Sequence, residues 1–399
     1  MNIGSRMTAV ARAAAAMAAF AALTTGSAAG ADRVRVGFLS TLSGPGGALG
    51  IDIRDGFNLA IRHSGDKLGG LPVELTIVDD QQKPDIGKQS AERMVTQNKV
   101  DFMTGMVFSN VLLPTVPAVL EAKVFYISPN TGPEDYAGSK CNPYFYVASW
   151  QNEDVPGAMG KYASEKGYKN VYLIGANYPG GKESIAGFKR YFKGAVADEV
   201  YTPMGQLDYA AELATMQNKK PDALFIFLPG GMGINFIKQF VATGANKSVA
   251  LLLPGFSADE DTIKPVGAAL LGALNSSHWA HDLDNPQNKR FVADFEKEYG
   301  RLPTMYAAQG YDTALLIDGA IRDVGGNIED KAALRKALQN ANFKSVRGAF
   351  RFNDNHYPIQ DYYLREVVKD DKGRITNRTV AKIMTAQADP FVAQCRMPG

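Results

Sequence analysis

The stretch Val34-Arg35-Val36-Gly37-Phe38-Leu39, followed closely by Ser43-Gly44-Pro45-Gly46-Gly47, decides the fold class of this chain. Its first part is rich in β-forming residues and predicts a buried strand, and its second part predicts a tight glycine turn. The residues after the turn place Phe57, Ala60 and Ile61 on one face of a helix. Strand, turn and helix then alternate along the chain, which predicts a mostly parallel sheet covered by helices on both faces.

The alternating pattern restarts after the first four predicted strands, so the sequence predicts two α/β lobes of Rossmann-like construction. The second set of strands and helices begins near residue 144 and continues to residue 253. Residues 290–338 are strongly helical in pattern. Residues 372–399 contain turn formers and little periodicity, and we predict that they form a tail over the surface.

The first thirty-one residues have the pattern of an export signal. Arg6 and Arg12 precede the apolar run Ala13–Leu23, and small residues lead to cleavage-compatible sites at Ser27-Ala28-Ala29 and Ala29-Gly30-Ala31. The alternative is a disordered alanine-rich N-terminus. Eleven apolar residues form about 16 Å of helix, roughly half of the hydrocarbon core of a bilayer, so this segment predicts export to the periplasm and not a membrane span.

Charge and compartment exclude several functions. The chain has 43 basic and 41 acidic residues, and removing the two arginines of the signal leaves 41 of each sign. No basic stripe indicates binding to nucleic acid or to anionic lipid. An exported protein has no steady supply of nucleotide cofactors, so a glycine-rich α/β chain here needs another explanation.

Cys141 and Cys395 are the two cysteines of the sequence, and neither lies in a CxxC or metal-ligand spacing. In an oxidising compartment they predict one disulfide, which would hold the C-terminal tail against the end of the first lobe. Two unpaired buried thiols are the alternative.

Motifs for catalysis are weak. Gly44-Pro45-Gly46 with Gly50 lacks the spacing of a dinucleotide fingerprint, and a tight strand-to-helix turn explains it better. His278 and His281 are three residues apart with no predicted helix to bring them together, so we predict no metal. With no nucleophile elbow or phosphate-binding loop either, we predict a protein without a cofactor that is not an enzyme.

Polar turns follow the third and fourth predicted strands, at Phe108-Ser109-Asn110 and Ser128-Pro129-Asn130-Thr131. Ligands of parallel α/β sheets bind at the carboxyl ends of strands, and hydroxyls with helix-start amides can hold an anion there. Helix capping by Ser109 and turn formation by Asn130 explain the same residues equally well. Spacing alone leaves both interpretations open.

Motifs along nearly the whole chain, in order, resemble one family. They are residues 37–45, 55–60, 69–70, 78–80, 105–109, 127–129, 178–181, 309–312 and 348–352. With them the chain resembles the periplasmic substrate-binding proteins of ABC importers, and among these the leucine/isoleucine/valine-binding group with its type I periplasmic binding protein fold. The resemblance implies transient docking to a permease in the inner membrane, and a monomer.

The resemblance also implies a domain arrangement and a site. Lobe 1 would comprise residues 32–148 and 278–357, lobe 2 residues 149–277 and 358–371, with three crossings as a hinge that closes on ligand. Carried over by position, Ser109, Asn130 and Thr131 would hold a ligand carboxylate from lobe 1. The groups that approach it elsewhere in the cleft would be Tyr178, the turn at Gly230, Phe256 and Tyr306.

One departure bears on specificity. Amino-acid binders of the family place an acid after the strand matching Val249–Leu253, where it meets the ligand ammonium, but here Pro254-Gly255-Phe256-Ser257 follows. We expect Asp259 and Glu260, a little further on, to face solvent. Rings gather at the cleft segments instead: Phe108, Trp150, Tyr178, Phe256, Trp279 and Tyr306.

The sequence therefore predicts a small carboxylate ligand with a flat apolar body, of benzoate or cinnamate type. The stretch Ser149-Trp150-Gln151-Asn152-Glu153 also resembles family members that bind aromatic acids. Binding of branched-chain or other hydrophobic amino acids is the first alternative. A ligand sensor for a membrane receptor and an exported α/β hydrolase are alternatives of other classes.

Overall fold

The computed structural model describes residues 31–397, so the predicted signal peptide lies outside the described residues apart from Ala31. Two mainly parallel sheets with helices on their faces make up this part of the chain. The prediction of a two-lobed α/β fold is confirmed. Among these residues, no helix is long and apolar enough to cross a membrane.

The first sheet forms the centre of lobe 1. Its strands are β1 (Val34–Ser40), β2 (Lys67–Leu68), β3 (Leu71–Asp79), β4 (Phe102–Thr104), β5 (Phe125–Ser128) and β6 (Phe145–Val147). Their order is β2-β3-β1-β4-β5-β6, parallel except for the β2–β3 hairpin. Because β1 lies between β3 and β4, the strand order reverses there, and the carboxyl ends of β1 and β4 border a crevice.

The second sheet forms the centre of lobe 2. Its strands are β7 (Asn170–Ala176), β8 (Ala195–Thr202), β9 (Ala223–Phe227), β10 (Ala250–Pro254), β11 (Leu274–Ser277), β12 (Arg351–Phe352), β13 (Pro358–Lys369) and β14 (Ile375–Gln387). Strands β7 to β11 are parallel in the order β8-β7-β9-β10-β11, and β13 joins β11 antiparallel. The order reverses at β7, which places a second crevice opposite the first.

The helices lie mainly between successive strands. They are α1 (Gly47–His63), α2 (Pro84–Thr96), α3 (Ser109–Glu121), α4 (Glu134–Ala137), α5 (Asp154–Lys166), α6 (Pro179–Tyr191), α7 (Ala210–Lys219), α8 (Gly231–Ala242), α9 (Glu260–Val266), α10 (Pro286–Tyr299), α11 (Met305–Asp323) and α12 (Lys331–Asn340). Helix α11 returns to lobe 1 and packs directly on α1. Glycines allow this contact, because a Cβ at Gly56 would lie 1.9 Å from the Ala307 carbonyl oxygen and one at Gly310 2.0 Å from that of Ile53.

The prediction of a tail at 372–399 is wrong for much of its length. Residues Ile375–Gln387 form β14, which pairs antiparallel with β13 at the margin of the second sheet. The pairing contains several register shifts, and many side chains of β14 are exposed. Such a strand lacks the strict alternation by which a sequence reveals a half-buried strand.

Cys141 and Cys395 form the predicted disulfide, with Cα atoms 5.6 Å apart. The bond joins the segment after α4 to the last described residues of the chain. It therefore fixes the segment after β14 to lobe 1.

Two buried arginines hold the crossings between the lobes. Arg347 pairs with Asp312 at 3.0 Å and donates to the carbonyl oxygens of Ala148 and Ser149 in the first crossing, and to Gln360 Oε1 in the third. Arg365 donates to the carbonyl oxygen of Trp279 in the second crossing. Hydrogen bonds from a planar guanidinium fix direction as well as distance, so these contacts define the hinge geometry.

Candidate ligand-binding site

The site lies where the switch points of the two sheets face each other. From lobe 1, the turns after β4 and β5 bring Phe108, Ser109, Asn130 and Thr131 to the cleft. From lobe 2, Tyr178 follows β7 and leads into α6. The cleft is narrow, since the Gly231 N–H donates to the Pro45 carbonyl oxygen across it at 3.2 Å.

Between the lobes is a small cavity of about 20 Å³, little more than the room that one water molecule needs, so the cleft is nearly closed. Within residues 31–397, the side chains around it carry no ionisable acid, lysine, arginine or histidine. The lining residues are Leu49, Val107, Phe108, Ser109, Asn130, Thr131, Trp150, Asn152, Tyr178, Gly180, Ser184, Phe227, Pro229, Phe256 and Tyr306.

One end of the cavity is polar and organised around Asn152. Its Oδ1 accepts from the Gly132 N–H at 2.8 Å and from the Thr131 hydroxyl at 3.3 Å, and its Nδ2 lies 3.2 Å from Ser109 Oγ. Because a backbone N–H needs an acceptor, these contacts fix which way the amide points. Ser109 Oγ and Thr131 Oγ1 lie 2.5 Å apart. Two hydroxyls and one amide therefore converge on one point.

Helix α3 adds backbone donors to this polar end. It begins at Ser109, after Phe108 in an extended conformation, and the N–H groups of Val111 and Leu112 bond to the Phe108 carbonyl oxygen. The N–H groups of Ser109 and Asn110 precede this first turn, so they are free of helical partners. The positive end of the helix dipole favours an anion here.

The rest of the cavity is a chain of aromatic rings. Ring centroids are 6.1 Å apart for Phe108 and Tyr178, 6.3 Å for Tyr178 and Phe227, 5.3 Å for Phe227 and Phe256, and 4.6 Å for Phe256 and Trp150. Burial raises the pKa of the Tyr178 hydroxyl, which therefore stays a neutral donor. Rings at these spacings are in contact with one another, so they form a continuous aromatic wall along the cavity.

Eight of the nine residues predicted to bind ligand line the cavity. They are Ser109, Asn130, Thr131, Phe108, Trp150, Tyr178, Phe256 and Tyr306. Gly230 does not line it, because its left-handed backbone (φ +64°) turns α8 toward Pro45 and leaves Pro229 at the cavity wall. Asn130 contributes less than expected, since its Nδ2 already donates to the Val107 carbonyl oxygen at 2.5 Å.

The expectation that Asp259 and Glu260 face solvent is wrong. Asp259 is buried, pairs with Arg365 at 3.2 Å and accepts from the Met305 N–H at 2.5 Å. Glu260 accepts from the Thr376 hydroxyl at 2.9 Å. Both carboxylates thus belong to contacts around β14 and the hinge, and neither borders the cavity.

Sequence patterns missed Asn152 as the centre of the polar end and Glu183 behind it. Glu183 Oε2 accepts from Asn152 Nδ2 at 2.6 Å. Burial, reinforced by the carboxylates of Glu134 and Glu153, raises the pKa of Glu183 to about 8. Only its position near Trp150 in the sequence could have indicated that Asn152 lies at the cavity. No local sequence pattern indicated a role for Glu183, which lies four residues after the first residue of α6.

Comparison with known proteins identifies the class to which this chain belongs. The family model described as periplasmic binding protein matches residues 33–373. The chain belongs to the periplasmic binding protein family. It is an ABC-type periplasmic solute-binding protein, a class that binds small molecules and delivers them to a permease, and the family implies a periplasmic location.

The names of individual relatives refer to two classes of ligand, branched-chain amino acids and benzoates. A Leu/Ile/Val-binding protein homolog 6 from Brucella melitensis is 27% identical over 373 residues, covering 91% of this chain and 95% of the relative. A solute-binding protein of an ABC transporter from R. palustris, solved in complex with benzoate, has a TM-score of 0.86 and 30% identity, covering 91% of this chain and 99% of the other. A second, from Rhodopseudomonas palustris BisB5 in complex with 3,4-dihydroxy benzoic acid, has a TM-score of 0.85 and 30% identity, covering 90% and 99%.

Proposed function

We propose that this solute-binding protein binds a small aromatic carboxylate of benzoate or cinnamate type. The observation that carries the proposal is a cavity with neutral hydrogen-bond donors at one end and aromatic rings along the rest. In this proposal Ser109, Thr131 and Asn152 hold the carboxylate, and Trp150, Tyr178 and Phe256 pack against the ring of the ligand. Neighbours of similar fold solved with benzoate and a dihydroxybenzoate support the same ligand class.

The charge of the cavity argues against an amino acid. A zwitterion would bury its ammonium beside Phe256, and an uncompensated buried charge costs several kcal/mol. Asp259, the acid nearest in sequence, is already paired with Arg365. The carboxylate of an aromatic acid needs only donors, which hydroxyls, amides and a helix N-terminus supply without a formal cation.

Ligand contacts with both lobes would favour the closed form over the open form. We infer that lobe 1 comprises residues 32–148 and 278–357, and that lobe 2 comprises 149–277 and 358–371 together with β14. Ser109 and Thr131 would then touch the ligand from one side of the cleft and Tyr178 and Phe256 from the other. The lobes close on bound solute, and the closed form is the one presented to the permease.

A panel of ligands at one concentration, read by thermal unfolding, tests the proposal. We expect benzoate, 4-hydroxybenzoate and cinnamate to raise Tm, by an amount equivalent to about 2.7 kcal/mol when a ligand is at 100 times its Kd. Benzamide, which has the ring without the charge, is the matched control and should stabilise less. Stabilisation by leucine or valine with none by the aromatic acids would overturn the proposal in favour of amino-acid binding.

A further inference from the structure

Glu183 occupies an unusual position between the polar end of the cavity and lobe 1. Its Oε2 lies 2.6 Å from Asn152 Nδ2, and the same nitrogen lies 3.2 Å from Ser109 Oγ. Because Asn152 Oδ1 is held by the Gly132 N–H, the amide cannot turn its nitrogen away. One side chain thus connects Glu183 directly to the place where we propose that the ligand carboxylate binds.

No cation compensates the charge of Glu183, although the Asn152 amide and the backbone N–H of Glu134 donate hydrogen bonds to its carboxylate. Glu134 of α4 faces it across the cleft, and Glu153 lies at the start of α5. Arg190, the nearby cation, is committed to Glu153 at 2.6 Å. Tyr357 and Tyr178 are the other titratable groups around it, and burial keeps both phenols neutral. Within the part of the chain that the structure describes, Glu183 makes no ion pair.

An ionised Glu183 would therefore oppose the ligand in two ways. It would hold the Asn152 N–H groups as a stronger acceptor, and it would place a second negative charge close to the bound carboxylate. Like charges brought together in a buried site favour the neutral form of one of them. Opening of the cleft moves both Glu134 and the ligand away from Glu183 and exposes its half-buried carboxyl group further to water.

We propose that Glu183 is a specificity-determining residue, which sets the ligand charge that the cavity accepts. In this proposal Glu183 is protonated when the cleft closes and brings it against lobe 1. Binding of an aromatic carboxylate then takes up one proton at Glu183. This inference rests on the proposed function. Since the protonated form belongs to the closed, liganded state, affinity is greatest below the ordinary pKa of a glutamate and falls as the pH rises toward about 8.

Affinities for benzoate and benzamide, measured by calorimetry from about pH 5.5 to 7.5, test the inference. We expect the Kd of the wild type for benzoate to rise with pH by up to about tenfold per unit, the limit for one linked proton. Its preference for benzoate over benzamide should fall in parallel. Glu183→Gln should bind benzoate with little dependence on pH, and titrations in buffers of different ionisation enthalpy should show proton uptake that this variant lacks. Glu121→Gln, at the exposed far end of α3, is the matched control and should behave as the wild type.

A second measurement separates this inference from the proposed function. The ¹³C carboxyl signal of Glu183, assigned by its loss in Glu183→Gln, is followed with pH in the wild type with and without benzoate. An ordinary pKa without benzoate that benzoate raises supports the inference. An ordinary pKa in both states, or equal pH dependence in wild type and Glu183→Gln, overturns it. If benzoate does not bind at any pH, the proposed function fails and this inference, which rests on it, fails with it. Benzoate binding without pH dependence overturns the inference alone.

Discussion

At the residue scale, Ser109 and Thr131 show how neutral groups can recognise an anion. They follow different strands, β4 and β5, yet their hydroxyl oxygens lie 2.5 Å apart beside Asn152 Nδ2. Each hydroxyl can donate one hydrogen bond to a ligand only by giving up or redirecting its present one. A ligand carboxylate, which brings acceptors and no donors, would take these hydrogen bonds in place of the present partners.

Removing either hydroxyl should weaken binding without unfolding the protein. We expect Ser109→Ala or Thr131→Ala to cost about 1–3 kcal/mol in benzoate affinity, because a charged acceptor loses a donor in a buried site. Calorimetric titration measures the loss. The control is Ser139→Ala, which removes an exposed hydroxyl of the same lobe and should leave Kd unchanged. Unchanged affinity in both cavity variants would show that the carboxylate binds elsewhere.

At the element scale, the packing of α1 on α11 depends on glycines where the two helices approach each other. Gly56 on α1 and Gly310 on α11 each face a carbonyl oxygen of the other helix at a distance that no Cβ tolerates. Since Tyr306 lies in the first turn of α11, this contact also determines where one ring of the cavity sits.

A methyl group at Gly310 should separate the two helices. We expect Gly310→Ala to lower the free energy of unfolding by about 3 kcal/mol, the upper end of ordinary overpacking, because its Cβ would lie 2.0 Å from a backbone oxygen that cannot rotate away. Chemical denaturation followed by circular dichroism gives the value. In the control, Gly138→Ala, the Cβ would meet the movable end of Gln394 at 3.1 Å, and stability should change little. Equal stability of the two variants would contradict this account of the α1–α11 contact.

At the scale of the whole molecule, the lobes are linked by three crossings and by chain that returns from lobe 2 to lobe 1. Strand β14 belongs to the second sheet, and the disulfide between Cys141 and Cys395 attaches the segment after it to lobe 1. The bond closes a sequence separation of 254 residues. In the chain-entropy view, so long a loop restricts the unfolded state strongly.

Reduction should therefore destabilise the protein while leaving the cavity formed. We expect a reductant to lower the free energy of unfolding by about 2–5 kcal/mol, with benzoate still bound. Denaturation with and without the reductant measures the effect. The double variant Cys141→Ser with Cys395→Ser should have the same free energy of unfolding as the reduced wild type, and the reductant should not change it. A wild type equally stable in both conditions would mean that the bond adds no stability.

The sequence by itself determined the fold class, the disulfide and most of the cavity wall. Strand–turn–helix alternation depends on local periodicity, and family motifs mark the ends of particular strands, so Ser109, Thr131 and Tyr178 could be placed in one cleft before any coordinates. Two predictions were wrong because the sequence pattern was weak. Strand β14 is an exposed, irregular edge strand, and it was predicted as a tail. Asp259 was predicted to face solvent because its partner Arg365 is 106 residues away in the sequence.

Only the tertiary structure decided which hydrogen bonds form at the polar end of the cavity and which charged groups surround it. Asn152, Ser109 and Glu183 come from three separate segments, and the hydrogen bond from Asn152 to Ser109 exists only when the lobes meet. The pKa of a carboxyl group depends on desolvation and on neighbouring charges from every direction, which no local pattern records. The sequence therefore could not predict a role for Glu183. That role follows from the contacts that Glu134 and Asn152 make with it in the folded protein.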